Sequence, residues 1–392
     1  MSEFDKIKAL DDENVAHTYG RFPVAIKEGK GATCYDFDGK KYIDFSSGIG
    51  VNSLGFCNEG WINAVTEQLN TLQHISNLYY TEPCVRAAQL LCDKTGMKKV
   101  FFSNSGAESN EGAIKCARKY SFTKYGENRN KVITLVNSFH GRTVTTLAAT
   151  GQDVFHKYFF PFTEGFVFAP ANDFDVLENM VDESTCAIMM ELIQGEGGVM
   201  PLEEAFVKKV EALCKEKDIL LIIDEVQTGV GRTGKLFAFQ NYGITPDIVT
   251  TAKGIGGGLP LGCIMFGEKT EYTFGPSDHA TTFGGNPVAT AGAAYILNKL
   301  DDEFLSEVEV KGKYITEKLL KMPHVEGVDG MGMMLGIRLD ESVKAADIVK
   351  KGITNGVLAL TAKTKLRLLP PLTISYEEID AGLKAIESAL SE

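Results

Sequence analysis

Two charged residues, Asp224 and Lys253, each stand directly after an apolar run with the length of a buried β-strand. The runs cover 219–223 and 247–252, and open α/β sheets place their ligands at the C-terminal edges of such strands. The pair suits a Schiff-base site in which the lysine binds pyridoxal 5'-phosphate covalently and the acid keeps the pyridine nitrogen protonated. A salt bridge at a strand edge explains the two residues equally well when they are considered alone.

Ser105, Gly106 and Ala107 stand where a predicted strand gives way to a predicted helix. Backbone N–H groups point outward at a helix start and the helix dipole adds positive potential, so a phosphate would bind well there. Ser105 and Glu108 also have the spacing of a capping box. By itself, the segment is therefore more simply explained as an ordinary capped helix start.

An aromatic ring and a cation follow the predicted strand 132–136, at Phe139 and Arg142. Phe139 would stack on a planar ring, and Arg142 would bind a carboxylate through two parallel hydrogen bonds. His140 lies between them. We interpret it as a packed histidine with local hydrogen bonds and assign it no chemistry.

Two acids and an arginine complete the set of candidate residues. Glu191 and Glu196 lie near the end of a predicted strand, either as a general acid/base pair or as one structural and one substrate-facing residue. Arg367 lies in an apolar predicted strand, where a guanidinium needs a carboxylate partner or an opening to solvent.

Two nucleotide-binding motifs are matched imperfectly by residues 229–236. Residues 229–234 fit G-x-G-x-x-G, but five residues separate them from the preceding apolar run, so the turn of a dinucleotide site is misplaced. Leu236 stands where a G-x-x-x-x-G-K loop requires a serine or threonine. The sequence also has no His/Cys cluster with zinc spacing and no G-x-S-x-G elbow, so we expect no metal site.

The composition is that of a globular protein, with 44% hydrophobic and 23% charged residues among 392. The net charge of -12 argues against nucleic-acid binding. No apolar run is long enough to span a membrane, and the first residues lack the pattern of a signal peptide. Eight cysteines without a Cys-x-x-Cys pair are typical of a reduced protein, so we expect a cytoplasmic location.

From residue 98 the chain alternates between predicted strands and helices. This pattern indicates an α/β fold with a mostly parallel central sheet and flanking helices. The predicted strands of this sheet are 100–102, 132–136, 166–169, 187–193, 219–223, 248–251 and 262–266. We expect a large domain over 51–290 and a smaller α+β C-terminal domain over 291–392, with which the N-terminal segment 1–50 and its hairpin pack.

Seven short motifs, taken in order, carry a resemblance to a known family. They are SGAE (105–108), FHGRT (139–143), QGEGG (194–198), DEVQTG (224–229), RTG (232–234), TAKG (251–254) and TFGGNP (282–287). In order and spacing they resemble the class III aminotransferases, which are pyridoxal-phosphate-dependent enzymes of fold type I. The resemblance covers the chain from about Tyr19 to Arg367.

The resemblance implies roles for the matched residues at the cofactor. Lys253 and Asp224 would be the catalytic residues: Lys253 would bind the cofactor and carry the proton, and Asp224 would pair with the pyridine nitrogen. The other cofactor-binding residues would be Ser105, Gly106, Ala107, Phe139, Gln227 and Thr282. Thr282 would reach the phosphate bound to the other subunit, so a homodimer with shared active sites is expected.

The resemblance also implies substrate-binding roles for Arg142, Arg367, Glu196 and Tyr19. Arg142 would clamp a substrate carboxylate, and Arg367 would bind the α-carboxylate of glutamate or 2-oxoglutarate. Glu196 would neutralise Arg367 when the reacting end of the substrate carries no carboxylate. Such a pair lets one site accept a terminal amine and an α-amino acid in turn.

Within the family, the chain is most similar to members that act on N-acetylornithine and 2-oxoglutarate in arginine biosynthesis. The similarity lies in residues 19–24 and 48–55 and in the short length. Ornithine, 4-aminobutyrate and succinyl-diaminopimelate are alternative amino donors. An aminomutase or decarboxylase is an alternative from another reaction class, and a fold relic that only binds is a non-enzyme alternative. Glu196 and Arg367 together favour transamination, and the intact Lys253 and Asp224 argue against a relic.

Two departures from the family pattern stand outside the proposed chemistry. Phe56, Cys57, Asn58 and Glu59 occupy positions where the family often has a histidine and then His-Pro, and Leu192 replaces a usual proline. They leave open what the loop around residue 56 contacts across a dimer.

Overall fold

Seventeen strands build four sheets in this protein, whose structure is a computed structural model that describes all 392 residues. In chain order they are β1 (Ile26–Lys30), β2 (Thr33–Asp36), β3 (Lys41–Asp44), β4 (Lys99–Ser103), β5 (Lys131–Leu135), β6 (Phe166–Ala169), β7 (Thr185–Met190), β8 (Ile193–Gln194), β9 (Met200–Pro201), β10 (Leu220–Asp224), β11 (Ile248–Thr251), β12 (Gly262–Phe266), β13 (Val325–Met331), β14 (Met334–Leu339), β15 (Val357–Leu358), β16 (Leu360–Ala362) and β17 (Lys365–Leu368).

Thirteen helices accompany the strands. They are α1 (Glu3–Asn14), α2 (Ser47–Gly50), α3 (Glu59–Thr71), α4 (Glu82–Thr95), α5 (Gly106–Tyr125), α6 (Val144–Ala149), α7 (Phe174–Met180), α8 (Glu204–Lys217), α9 (Phe239–Tyr242), α10 (Pro287–Lys299), α11 (Asp302–Leu319), α12 (Ala345–Asn355) and α13 (Tyr376–Ser391). Short 3-10 turns cover Asp153–Phe155 and Lys253–Ile255. No helix combines the length and the hydrophobicity needed to cross a membrane.

The central sheet has the strand order β4-β12-β11-β10-β7-β5-β6. Its neighbours run parallel except for β12, which is antiparallel to both β11 and β4. Every residue of β7, β10 and β11 is buried, because alternate side chains enter apolar clusters on the two faces of the sheet. In β10, for example, Leu221 belongs to one cluster and Ile222 to the other. The predicted α/β fold with a mostly parallel sheet is confirmed.

Two smaller sheets flank this core. One has the order β13-β14-β17-β16, and the other joins the N-terminal hairpin to the C-terminal part of the chain in the order β1-β2-β3-β15. In the second sheet β15 pairs in parallel with β3. The domain boundaries, and the packing of residues 1–50 with the small domain, stay predictions.

The sequence pattern gave no sign of α1. This helix has a capping box formed by Ser2 and Asp5, but none of its residues is buried. Hydrophobic periodicity arises from burial of one helix face, so a helix without a buried face lacks that signal. The predicted strand 187–193 is also split, because Glu191 and Leu192 separate β7 from β8.

Candidate active site

A cavity of about 450 Å³ opens at the edge of the central sheet where β10 and β11 end. Of the candidate residues from the sequence, it is lined by Ser105, Gly106, Ala107, Phe139, Arg142, Glu191, Glu196, Asp224, Gln227 and Lys253. They come from five separate parts of the chain, which the parallel strands bring to one edge.

Asp224, the last residue of β10, is almost fully buried. Its Oδ2 accepts hydrogen bonds from Asn110 Nδ2 at 2.7 Å and His140 Nδ1 at 2.8 Å, and its Oδ1 accepts one from the N–H of Val226 at 3.0 Å. Lys253 is not among these partners, so the Asp224 carboxylate is not held by a salt bridge to Lys253 at the strand edge. Asp224 is fixed on three sides, as a carboxylate that must face a cofactor nitrogen requires.

Lys253 begins a 3-10 turn directly after β11 and has a left-handed backbone with φ 49°. Lysine seldom adopts this conformation, and such strain is concentrated at functional sites. The side chain lines the cavity, and burial lowers the pKa of its amine against the opposing effects of the Glu196 and Asp224 carboxylates. A lowered pKa favours the neutral amine, which is the nucleophilic form.

The N-terminus of α5 forms one wall of the cavity. The Ser105 hydroxyl caps the helix by accepting from the N–H of Glu108 at 3.2 Å, while Gly106 and Ala107 line the cavity. The N–H groups of these first two helical residues have no partner within the helix, and α5 is 20 residues long. A Cβ at Gly106 would lie 2.7 Å from the Val226 side chain, so this close approach requires glycine. The segment is thus both a capped helix start and a suitable place for a phosphate.

Phe139 and Arg142 lie next to each other and both line the cavity. The backbone N–H of Phe139 donates to Glu191 Oε2 at 2.9 Å, and its ring packs edge-on against Phe155 with 5.7 Å between centroids. The exposed guanidinium of Arg142 lies 5.8 Å from the Phe139 ring and 5.2 Å from the Phe155 ring. The rings hold the Arg142 guanidinium beside the cavity, where it can meet a carboxylate.

The two glutamates of the 191–196 segment have different surroundings. Glu191 is buried at the cavity wall, where backbone N–H groups of Phe139 and Gly195 donate to its carboxylate, and burial raises its pKa. Glu196 lines the cavity and accepts from Arg367 Nη1 at 2.6 Å. Of the two interpretations left open by the sequence, this geometry fits one structural and one substrate-facing residue.

Arg367 lies in β17 and is 3% exposed. Its Nη1 also donates to Gln227 Oε1 at 3.3 Å, and its Nε is buried without a hydrogen-bond partner. Glu196 and Gln227 line the cavity whereas Arg367 does not. The guanidinium therefore stands behind these two side chains with one N–H donor still free.

Tyr19 and Thr282 do not line the cavity in the single chain. Tyr19 is 69% exposed and lies in a separate groove against α1. Thr282 is exposed as well, next to Thr281, whose hydroxyl accepts from the cavity residue Asn104 at 3.0 Å. Their predicted roles stay predictions.

Asn110 and His140 are site residues that the sequence reasoning missed. Both bond to Asp224. The spacing of Asn110 was an available signal, because a residue four positions after Gly106 lies one helical turn behind it on the same face. His140 is indeed buried, as expected of a packed histidine, but its hydrogen bond goes to the site residue Asp224.

The departures from the family pattern have structural explanations. Phe56 packs against Gly29, where a Cβ would lie 2.8 Å from its ring. The Asn58 side chain caps α3 by accepting from the N–H of Trp61 at 3.1 Å. Leu192 is fully buried and its carbonyl accepts from the Tyr242 hydroxyl at 3.2 Å.

The residues that line the cavity fit pyridoxal 5'-phosphate. A lysine of lowered pKa, a fixed carboxylate, an aromatic ring and a helix N-terminus surround one space, and glycine at residue 106 avoids a clash with the Val226 side chain. Lys253 would hold the carbonyl carbon, Asp224 the pyridine nitrogen and Ser105 to Ala107 the phosphate. The fold and the cavity thus define a pyridoxal-phosphate-dependent enzyme.

Comparison with known proteins identifies the family. The family model "Aminotransferase class-III" matches residues 14–390. The chain belongs to the class III aminotransferases, which confirms the resemblance carried by the seven motifs.

Curated relatives are similar over almost their whole length. An acetylornithine aminotransferase of Haemophilus ducreyi is 52% identical over 389 residues, with 99% of each chain covered. One from Caldanaerobacter subterraneus is 47% identical over 381 residues, with 96% of each covered.

Solved structures with the same fold include ornithine aminotransferases and N-acetylornithine aminotransferases. An ornithine aminotransferase from Toxoplasma gondii has a TM-score of 0.94 at 30% identity and covers 100% of this chain and 96% of its own. The N-acetylornithine aminotransferase from Stenotrophomonas maltophilia has a TM-score of 0.85 at 34% identity and covers 98% of both chains.

Proposed function

We propose that the protein transfers the δ-amino group of N-acetylornithine to 2-oxoglutarate, giving N-acetylglutamate 5-semialdehyde and glutamate, as arginine biosynthesis requires. The observation that carries this proposal is the 2.6 Å ion pair between Arg367 and Glu196 next to Lys253. The names of the relatives at 52% and 47% identity support the choice of amino donor. Ornithine is the second candidate donor, since the structure with a TM-score of 0.94 is an ornithine aminotransferase.

Lys253 and Asp224 carry the chemistry in this proposal. When bound, pyridoxal phosphate supplies a carbonyl that combines with amines and a ring that withdraws electrons from the carbon bearing the amine. The neutral amine of Lys253, favoured by burial, is both the covalent anchor and the base that moves a proton during transfer. Asp224, which is held by three hydrogen bonds, would keep a proton on the ring nitrogen.

Glu196 and Arg367 let one cavity accept two different substrates. The reacting end of N-acetylornithine carries a primary amine without a carboxylate, so the Arg367 charge must be neutralised by Glu196, as it is in this structure. The α-carboxylate of glutamate or 2-oxoglutarate would take the place of Glu196 and also use the free Nε donor. Arg142 would bind the carboxylate at the far end of either substrate.

We also propose a homodimer with shared active sites. Ile75, Leu78, Tyr79, Tyr80 and Phe283 are exposed on one part of the surface, and the Asn77 amide donates to the carbonyl oxygens of Thr281 and Gly284. This apolar patch is thus joined to the loop that carries Thr282, and apolar patches of this kind are typical of interfaces. A cytoplasmic location is supported by the eight free cysteines.

Steady-state turnover with both substrates tests the proposal. N-acetylornithine and 2-oxoglutarate are supplied together and separately, and the products are identified by mass spectrometry. Glutamate and the acetylated semialdehyde should form in equal amounts, and product beyond one equivalent of enzyme should appear only when both substrates are present. Release of carbon dioxide, or repeated turnover of one substrate alone, would instead place the protein among the decarboxylases or aminomutases.

A further inference from the structure

One buried amide, that of Asn110, joins the separate parts of the chain that form the cavity. Its Nδ2 donates to Asp224 Oδ2 at 2.7 Å and to the carbonyl oxygen of His140 at 2.8 Å. Its Oδ1 accepts from Thr250 Oγ1 at 2.6 Å. Asn110 is 1% exposed and Thr250 is fully buried, so both donor hydrogens and the oxygen of the amide are used within the protein.

Each of these bonds ends at an element that delivers a cofactor contact. Asn110 itself lies one turn behind Gly106 in α5, and His140 follows Phe139 in the chain. Asp224 ends β10, and Thr250 lies in β11, three residues before Lys253. The same side chain therefore fixes the phosphate-binding end, the stacking ring, the acid and the strand before the lysine relative to one another.

The direction of the bonds determines the orientation of the amide. Asp224 Oδ2 and the His140 carbonyl accept hydrogen bonds but cannot donate them when Asp224 is ionised. A rotated amide would point its oxygen at two acceptors, which is strongly unfavourable in a buried site. Thr250 donates to the remaining oxygen and so fixes the position of the amide as well as its orientation.

We propose that Asn110 is a positioning residue for the cofactor, acting through Asp224 and the His140 backbone, and that the Thr250 hydroxyl holds Asn110 in place. Its effect reaches the ring nitrogen through Asp224, whose carboxylate it aims, and the ring face through residues 139–140. Removing Asn110 or the Thr250 hydroxyl loosens the held cofactor even though neither side chain belongs to the amine-binding residues. The inference concerns cofactor binding alone, so its test contains no amine substrate.

The experiment measures cofactor loss from the holoenzyme and its visible absorption band at one pH, in four variants. Thr250→Val removes the hydroxyl and keeps the shape, Thr250→Ser keeps the hydroxyl, and Asn110→Ala removes the amide. Thr134→Val is the matched control, because the Thr134 hydroxyl is buried in β5 without a hydrogen-bond partner. Thermal unfolding of each holoenzyme is followed in parallel.

We expect cofactor loss to be faster by about 10- to 100-fold in Asn110→Ala, because a hydrogen bond to a charged group is lost. We expect about 3- to 10-fold in Thr250→Val, because only a bond between neutral groups is lost. Both variants should also shift the visible band, whereas Thr250→Ser and Thr134→Val should match the parent protein in both readouts. A Thr250→Val holoenzyme with the parent's band and rate of cofactor loss would overturn the proposal. So would equal effects of Thr250→Val and Thr134→Val, which would indicate only a general loss of strand packing.

Discussion

Arg367 Nη1 lies 2.6 Å from Glu196 Oε1, and only Glu196 of the two lines the cavity. The arginine is almost fully buried, while the glutamate side chain keeps 30% of its surface exposed. Because Glu196 has access to solvent, its side chain can rotate away from Arg367, whereas the buried arginine is held in place. This geometry supports the proposed role of Glu196 as a replaceable counter-ion, which alternation between an amine and an α-amino acid would require.

Arg367→Ala should slow the half-reaction with glutamate about 10- to 100-fold and the half-reaction with N-acetylornithine much less, because only glutamate presents a carboxylate to this residue. Single-turnover absorbance changes with each amine measure the two rates. Arg338→Ala is the control, since Arg338 is exposed on the neighbouring strand β14. Equal losses in both half-reactions would contradict the proposed exchange of Glu196 for a substrate carboxylate at Arg367.

Lys253→Ala should abolish covalent attachment of the cofactor and lower turnover by about 10²- to 10⁴-fold, the range for removal of a positioned acid/base group. Borohydride reduction followed by intact-protein mass spectrometry detects the attachment. Lys235→Ala is the control, because the side chain of Lys235 is 52% exposed and lies outside the cavity. Full activity of Lys253→Ala would end this account of the site.

Leu78→Asp should convert the proposed dimer to monomers. Leu78 is 87% exposed beside the fully exposed Tyr80, and burying an unpaired charge in an apolar interface weakens association by about 30-fold or more. Light scattering during size-exclusion chromatography measures the mass over a dilution series. Leu320→Asp, at another exposed leucine at the end of α11, should leave the mass unchanged. A monomeric parent protein would refute the shared site.

Glu225→Gln should stabilise the protein increasingly as the pH rises from about 4.5 to 7. Burial raises the pKa of the Glu225 carboxyl from 4.5 to about 7, so in this range the folded state holds a proton that the unfolded state has released. The stability of the parent therefore falls as the pH rises through the range, while glutamine, which resembles the protonated acid, is unaffected.

Thermal midpoints of the parent and of Glu225→Gln, measured at several pH values, test this expectation. The difference should grow up to about pH 7 and then stay constant. Glu178→Gln, at an exposed position of α7, should show no such trend. A difference independent of pH would mean that Glu225 is ionised in the folded protein throughout.

The sequence predicted the central sheet well because burial on both faces produces uninterrupted apolar strands. The strands 166–169, 248–251 and 262–266 were predicted with the bounds that the structure shows. Asp224 and Lys253 were predictable for a related reason, since a charged residue directly after such a strand must lie at the sheet edge. The family motifs then pointed to Gln227, which also lines the cavity, whereas Asn110 was missed.

Contacts between distant parts of the chain could not be predicted in the same way. The bonds of Asn110 to Asp224 and Thr250 span 114 and 140 residues, and no local pattern encodes them. The place of Tyr19 depends on how an exposed segment packs, and the proposed role of Thr282 would require a second subunit. The helix α1 lacks a buried face, so it left no periodic signal.

The amino donor is tested most directly by single half-reactions of the purified holoenzyme, followed by absorbance. N-acetylornithine and ornithine are offered separately at the same concentration, without 2-oxoglutarate. We predict fast conversion of the cofactor by N-acetylornithine and slow conversion by ornithine. The reverse order would contradict the proposed substrate and make ornithine the preferred amino donor. The fold, the cofactor and the proposed roles of Lys253 and Asp224 would stand.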